Sequence, residues 1–159
     1  MSAKTKLLVI ATLLEANASL KALKAIQEAP NVYTWEYGRV VISGIGVVAA
    51  AYAVARYGAE VDEIWNIGIA GALSQLCPIG DVYAISSVSK HLSLPVDCDE
   101  HSRTFASVQA FPPYELLGCE PPLAPGLRLL SSDYPIYNVT LRATLAVDHD
   151  LVDMEGYGV

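Results

Sequence analysis

Short apolar runs of strand length alternate with helix-length runs along this chain, and three of the strand ends meet a small-residue turn or an acid. Lys6 to Thr12 is an apolar strand followed, from Leu13 to Glu28, by Leu20, Leu23 and Ile26 at helical spacing. Ala29-Pro30-Asn31 is expected to stop that helix. Val32 to Glu36 and Arg39 to Ser43 alternate and predict a strand pair turned at Tyr37-Gly38. Val47 to Tyr57 is an Ala-rich helix closed by Gly58. Glu63 to Gly68, Val82 to Ser89, Gly126 to Ser132 and Asp150 to Glu155 are further strands, and Val139 to Ala146 is a short helix. Such alternation predicts an α/β fold of three layers, a mixed and mostly parallel central sheet flanked by helices. Ligands in these sheets sit beyond the carboxyl ends of strands. The ends of interest are Thr12 to Glu15, Gly68 to Gly71, and Met154-Glu155.

Composition bounds the function. The 159 residues suit one domain, 1–159, and are 53% hydrophobic but only 17% charged. Mean hydropathy is +0.36, which predicts buried strands, close-packed helices and an apolar homodimer interface. No apolar run is long enough to span a bilayer, and Glu15 and Asn17 interrupt the only stretch resembling a signal peptide, so a cytoplasmic protein is expected. Net charge is −7 with no basic stripe, which argues against nucleic acid as a partner. Cys77, Cys98 and Cys119 are widely spaced and predict reduced thiols.

Several motifs reduce to plain structure. Ser43-Gly44-Ile45-Gly46-Val47-Val48-Ala49 fits a dinucleotide turn, but the next strand ends in Asn66-Ile67-Gly68, with no acid for a ribose. A tight strand-to-helix turn is the better reading. Cys98-Asp99-Glu100-His101 offers possible metal ligands without a second pair, so a solvated acidic loop is expected and no metal. The polar, Pro-rich stretch from Lys90 to Leu123 reads as a substrate-facing insertion. Glu15 is an acid in a first helical turn. Glu155 is harder to dismiss, because a carboxylate at the end of an apolar strand needs partners, and sugar hydroxyls would supply two O–H donors.

Four segments in order resemble the purine nucleoside phosphorylase and methylthioadenosine/S-adenosylhomocysteine nucleosidase superfamily. They are Ser43-Gly44-Ile45-Gly46, Asn66 to Ala72, Pro78-Ile79-Gly80-Asp81-Val82, and Asp153-Met154-Glu155-Gly156. Ala11 to Ala16, with Gly44-Ile45-Gly46 and Ala51-Tyr52-Ala53, is most similar to futalosine hydrolase, which releases hypoxanthine from futalosine in menaquinone biosynthesis. The resemblance implies that Glu155 binds the ribose hydroxyls with Met154 packed on the sugar, and that Asp153 belongs to the same substrate-binding motif. It implies that Glu15 positions water, and that Ile69, Ala70 and Gly71 line the base and ribose pocket. Ser132 to Ile136 would hold the purine, through Tyr134 and Ile136. No cofactor is implied.

Related phosphorylases carry an arginine where Asn66 stands. Without a fixed cation, phosphate beside two carboxylates is repelled, which favours water as nucleophile. The family's general acid is an aspartate beyond the Met-Glu-Gly motif, and no such segment follows here. The resemblance therefore implies a chain lacking its C-terminal part. Methylthioadenosine/S-adenosylhomocysteine hydrolysis is the near alternative, and a catalytically impaired nucleoside-binding homologue the alternative of another class.

Overall fold

The computed structural model describes residues 5–91, 114–115 and 126–159. It is a mixed α/β structure that divides into two compact units, Met1–Ile69 with Gly158–Val159, and Ala70–Tyr157.

The first unit is built on β1 (Lys6–Ile10), α1 (Leu13–Leu23), β2 (Ile26–Ala29), β3 (Val32–Trp35), β4 (Gly38–Ile42), α2 (Val47–Tyr57) and β5 (Glu63–Asn66). Its sheet runs β2-β3-β4-β1-β5, with β1 parallel to both β4 and β5 and the β2-β3-β4 edge antiparallel. β1 reads Leu-Leu-Val-Ile because both of its faces are covered. Leu7 and Val9 pack with Val41 against Ala50 and Ala53 of α2. Leu8 and Ile10 pack with Val40 against Ala16 of α1. Helix, sheet and helix thus make three layers, as expected. The small residues of α2 let its backbone lie close to the strands. Gly38 is obligatory at the start of β4, because a Cβ there would sit 1.9 Å from the Lys6 carbonyl oxygen.

One expectation fails here. The helix expected to run to Glu28 stops at Leu23, where Lys24 turns left-handed (φ 52°) and its N–H caps the Leu20 and Lys21 carbonyls. Ile26, which continued the helical spacing, is 74% exposed in β2. Pro30-Asn31 does not end a helix but turns the β2-β3 hairpin, with Asn31 at φ 64°.

The second unit contains β6 (Gly71–Ala72), β7 (Ile85–His91), β8 (Tyr114–Glu115), β9 (Leu127–Ser132), α3 (Val139–Leu145) and β10 (Leu151–Asp153). Its sheet runs β6-β10-β9-β7-β8, with β7, β9 and β10 parallel. Val88, Leu129 and Leu151 lie in register and form the core with Cys77. β7 begins three residues later than expected and includes Lys90 and His91, which the sequence placed in the insertion. β10 ends at Asp153, so Glu155 lies in the turn beyond the strand rather than on it. Cys98-Asp99-Glu100-His101, Cys119 and the rest of the expected insertion lie outside the described residues, apart from Tyr114–Glu115.

Candidate active site

The carboxyl ends of β7, β9 and β10 carry a row of polar residues one pleat beyond the apolar core. Lys90 pairs with Ser131, and Ser131 with Asp153. Asp153 acts on the chain that follows it. Ser131 Oγ donates to Asp153 Oδ1 at 2.6 Å, and the Gly156 N–H donates to Oδ2 at 2.7 Å. The same Ser131 Oγ accepts the Tyr157 N–H at 2.8 Å. Burial lifts the Asp153 carboxyl above its usual range, against the opposing pull of Ser131, the Gly156 and Glu155 N–H groups and Lys90. Asp153 is thus an anchor for the turn that carries Met154 and Glu155. Gly156 is required by crowding, because a Cβ would come within 2.7 Å of Leu129 and 2.9 Å of Asp153 Oδ2. Met154 and Glu155 are half-buried, and the Met154 N–H donates to Glu155 Oε2 at 3.3 Å.

Glu15 sits at the carboxyl end of β1 and is built into α1. Thr12 is the N-cap, and the Glu15 N–H donates to its hydroxyl oxygen at 3.3 Å. Glu15 Oε2 accepts the Thr12 N–H at 3.0 Å and the Thr12 hydroxyl at 2.7 Å, completing a capping box. Oε1 accepts the Ile69 N–H at 3.0 Å. A carboxylate accepts about four hydrogen bonds, so three internal ones leave room for about one more. Ile69 is held by that bond while its side chain is 75% exposed. Ala70 is exposed, and Gly71 pairs with Val152 one residue before Asp153. Glu15 and Ile69 belong to the first unit, and the remaining expected site residues to the second.

Tyr134 and Ile136 lie close together in the loop that follows Ser132. With His91, Ser132, Asn138 and Leu141 they line a cleft of about 270 Å³. Sequence reading missed three residues of this region: Lys90, His91 and Ser131. Lys90 is 7% exposed and its ammonium pairs with Asp133. His91 is 8% exposed. No spacing signal marks these residues, since only the register of three distant strands aligns them.

A larger cleft, about 570 Å³, is lined by Lys6, Leu8, Trp35, Tyr37, Glu63 and Trp65. It lies where β1, β4 and β5 begin, at the end of the sheet opposite the one that binds ligands in α/β folds. Among the described residues, no group of three or more His, Cys, Asp or Glu is arranged to hold a metal, and no helix is long and apolar enough to cross a membrane.

The phosphorylase superfamily matches residues 7–159, and the chain belongs to it. Among solved structures, it is similar to a variant of a Chlamydia trachomatis MTAN bound to MTA, with a TM-score of 0.70 and 23% identity over 97% of this chain and 71% of that one. A Helicobacter pylori futalosine hydrolase mutant has a TM-score of 0.70 and 16% identity, over 100% of this chain and 83% of that one. An S-adenosylhomocysteine nucleosidase from Streptococcus pyogenes gives a TM-score of 0.70 and 22% identity, over 99% and 76%. No curated protein matches this chain. At these identities the likeness establishes the fold.

Proposed function

We propose that this chain hydrolyses the N-glycosidic bond of a purine nucleoside, with futalosine as lead substrate and hypoxanthine as the released base. The observation that carries the reading is the anchored turn after β10. Asp153, Ser131 and Gly156 fix the backbone on which Met154 and Glu155 stand, in a member of the phosphorylase superfamily. Preorganised carboxylate contacts favour a ribose acquiring oxocarbenium character, because they strengthen as positive charge develops. Glu155 would accept the ribose hydroxyls, with Met154 against the sugar. Glu15 would hold the attacking water through its remaining acceptor capacity, with its carboxylate fixed by Thr12 and Ile69. Ile69, Ala70 and Gly71 would line the pocket, and Tyr134 and Ile136 the base. Departure of the base requires its protonation.

Water as nucleophile draws support from the arginines. All four described arginines are engaged: Arg39 with Glu28, Arg56 with the Tyr52 hydroxyl, Arg128 with Asp150, and Arg142 with the Ala72 carbonyl. None is left as a ready clamp for a phosphate dianion among the described residues.

Futalosine, methylthioadenosine and S-adenosylhomocysteine, each incubated with the chain, test the reading by chromatography of the released base. The expected result is fastest release from futalosine at a rate independent of added phosphate. Phosphate-dependent release would make the chain a phosphorylase. Faster release from the adenine nucleosides would reverse the substrate order, and binding without release would identify a nucleoside-binding protein.

A further inference from the structure

His91 carries a feature that the proposed reaction leaves unused. It lines the 270 Å³ cleft, yet its Nδ1 is completely buried with no hydrogen-bond partner. Burial lowers the pKa of the ring, with Lys90 and His149 acting in the same direction and Asp133 against them. The imidazole is therefore neutral at neutral pH and carries one N–H. An orphaned buried N–H is rarer in proteins than an under-satisfied acceptor, so the proton belongs on Nε2 and the buried Nδ1 keeps its lone pair. Nε2 is not one of the buried, unpartnered atoms, which makes it the nitrogen available to the cleft that His91 lines.

The neighbouring polar groups reinforce this polarity. Ser132 Oγ already accepts the Tyr134 N–H at 3.3 Å, and Asn138 Oδ1 already accepts the Leu141 N–H at 2.9 Å. Among the described residues, their hydroxyl proton and amide hydrogens remain to be donated. Among the described residues, no carboxylate lines the cleft.

We propose that His91 selects the base, presenting an Nε2–H donor to position 6 of the purine, where it favours a 6-oxopurine over a 6-aminopurine. This rests on the purine nucleosidase reading and deepens it. A 6-oxopurine offers acceptors at O6 and N7, whereas a 6-aminopurine replaces the first with an N–H₂ donor. A donor facing a donor leaves two desolvated groups unpaired, the mismatch by which polar sites discriminate most strongly.

The test is equilibrium binding of hypoxanthine and of adenine to the whole chain and to three variants, with ¹⁵N NMR of the histidine ring to assign its tautomer. The wild type is expected to bind hypoxanthine roughly tenfold tighter than adenine and to show the Nε2–H tautomer. His91→Gln, whose amide nitrogen falls near the Nε2 position, should keep most of the preference. His91→Asn, whose amide falls near Nδ1, and His91→Phe should bring the ratio close to one. An unchanged ratio in His91→Phe, or an Nδ1–H tautomer in the wild type, overturns the assignment to His91 while leaving the nucleosidase reading intact. Binding of neither base by the folded wild type overturns the assignment to His91, and with no base released from the three nucleosides it overturns the nucleosidase reading as well.

Discussion

The two sheets end differently. In the first, the buried residues of β1 and β4 are Leu7, Leu8, Val9, Ile10, Val40 and Val41, apolar up to the carboxyl ends. In the second, buried Val88, Leu129, Leu130 and Leu151 are followed by buried Ser89, Lys90, His91, Ser131 and Ser132, with Asp153 beside them. Burying polar groups costs free energy unless each is bonded, so such a concentration is unfavourable for stability alone. The first sheet is made to hold its layers together and offers Glu15 at its rim. The second gives up apolar packing at its strand ends to fix the turn bearing Glu155 and to surround a cleft.

That contrast can be broken by substitution. Ile10→Ala, in the fully buried first sheet, should cost about 3 kcal/mol in denaturant unfolding. Base release per folded molecule should stay unchanged, and a loss there would give the first core a part in the chemistry. Asp153→Ala should cost less, about 2 kcal/mol, by stranding the Ser131 hydroxyl and the Gly156 N–H. It should also slow base release out of proportion to that loss, because the Glu155 turn loses its anchor. A purely stabilising Asp153 would leave the rate per folded molecule intact.

Smaller effects sharpen the picture at the other end of the second sheet. Asp150 accepts the Arg128 guanidinium through both oxygens, at 3.1 and 3.2 Å, and that bond holds its pKa below the usual 3.8. A depressed carboxylate pKa contributes stability above the unfolded value, lost as pH falls through the folded one. Arg128 is 45% exposed, so Asp150→Asn should cost no more than about 1 kcal/mol and leave base release alone. His91 gives the smallest shift. Its folded pKa lies below 6.5, so its contribution is complete above that pH and is lost as pH falls through the folded value. His91→Gln should flatten that part of the melting-temperature profile, and an unaltered profile would mean that the ring is not buried as a neutral group.

Local signals made much of the first unit legible. Val47 to Tyr57 was readable as α2 because its Ala-rich run is bounded by glycines, and β1 because its apolar run is short and unbroken. α1 was read too long because Ile26 kept the helical spacing after the chain had turned at Lys24. Glu155 could be proposed as a site residue from its setting, but the support of its turn was not legible. Lys90, Ser131 and Asp153 lie far apart in sequence and meet only through the pairing of β7, β9 and β10. Nor could spacing show that Glu15 would bond both its own helix cap and the Ile69 backbone.

The central claim is that the anchored turn presents Glu155 to a ribose. Glu155→Gln removes the charge while keeping the shape, and its hypoxanthine release from futalosine, compared with the wild type at equal folded concentration, tests that claim most directly. The account predicts a fall of roughly a hundredfold or more with the melting temperature unchanged, the scale of a lost transition-state contact. Release at the wild-type rate by a folded Glu155→Gln chain would contradict it.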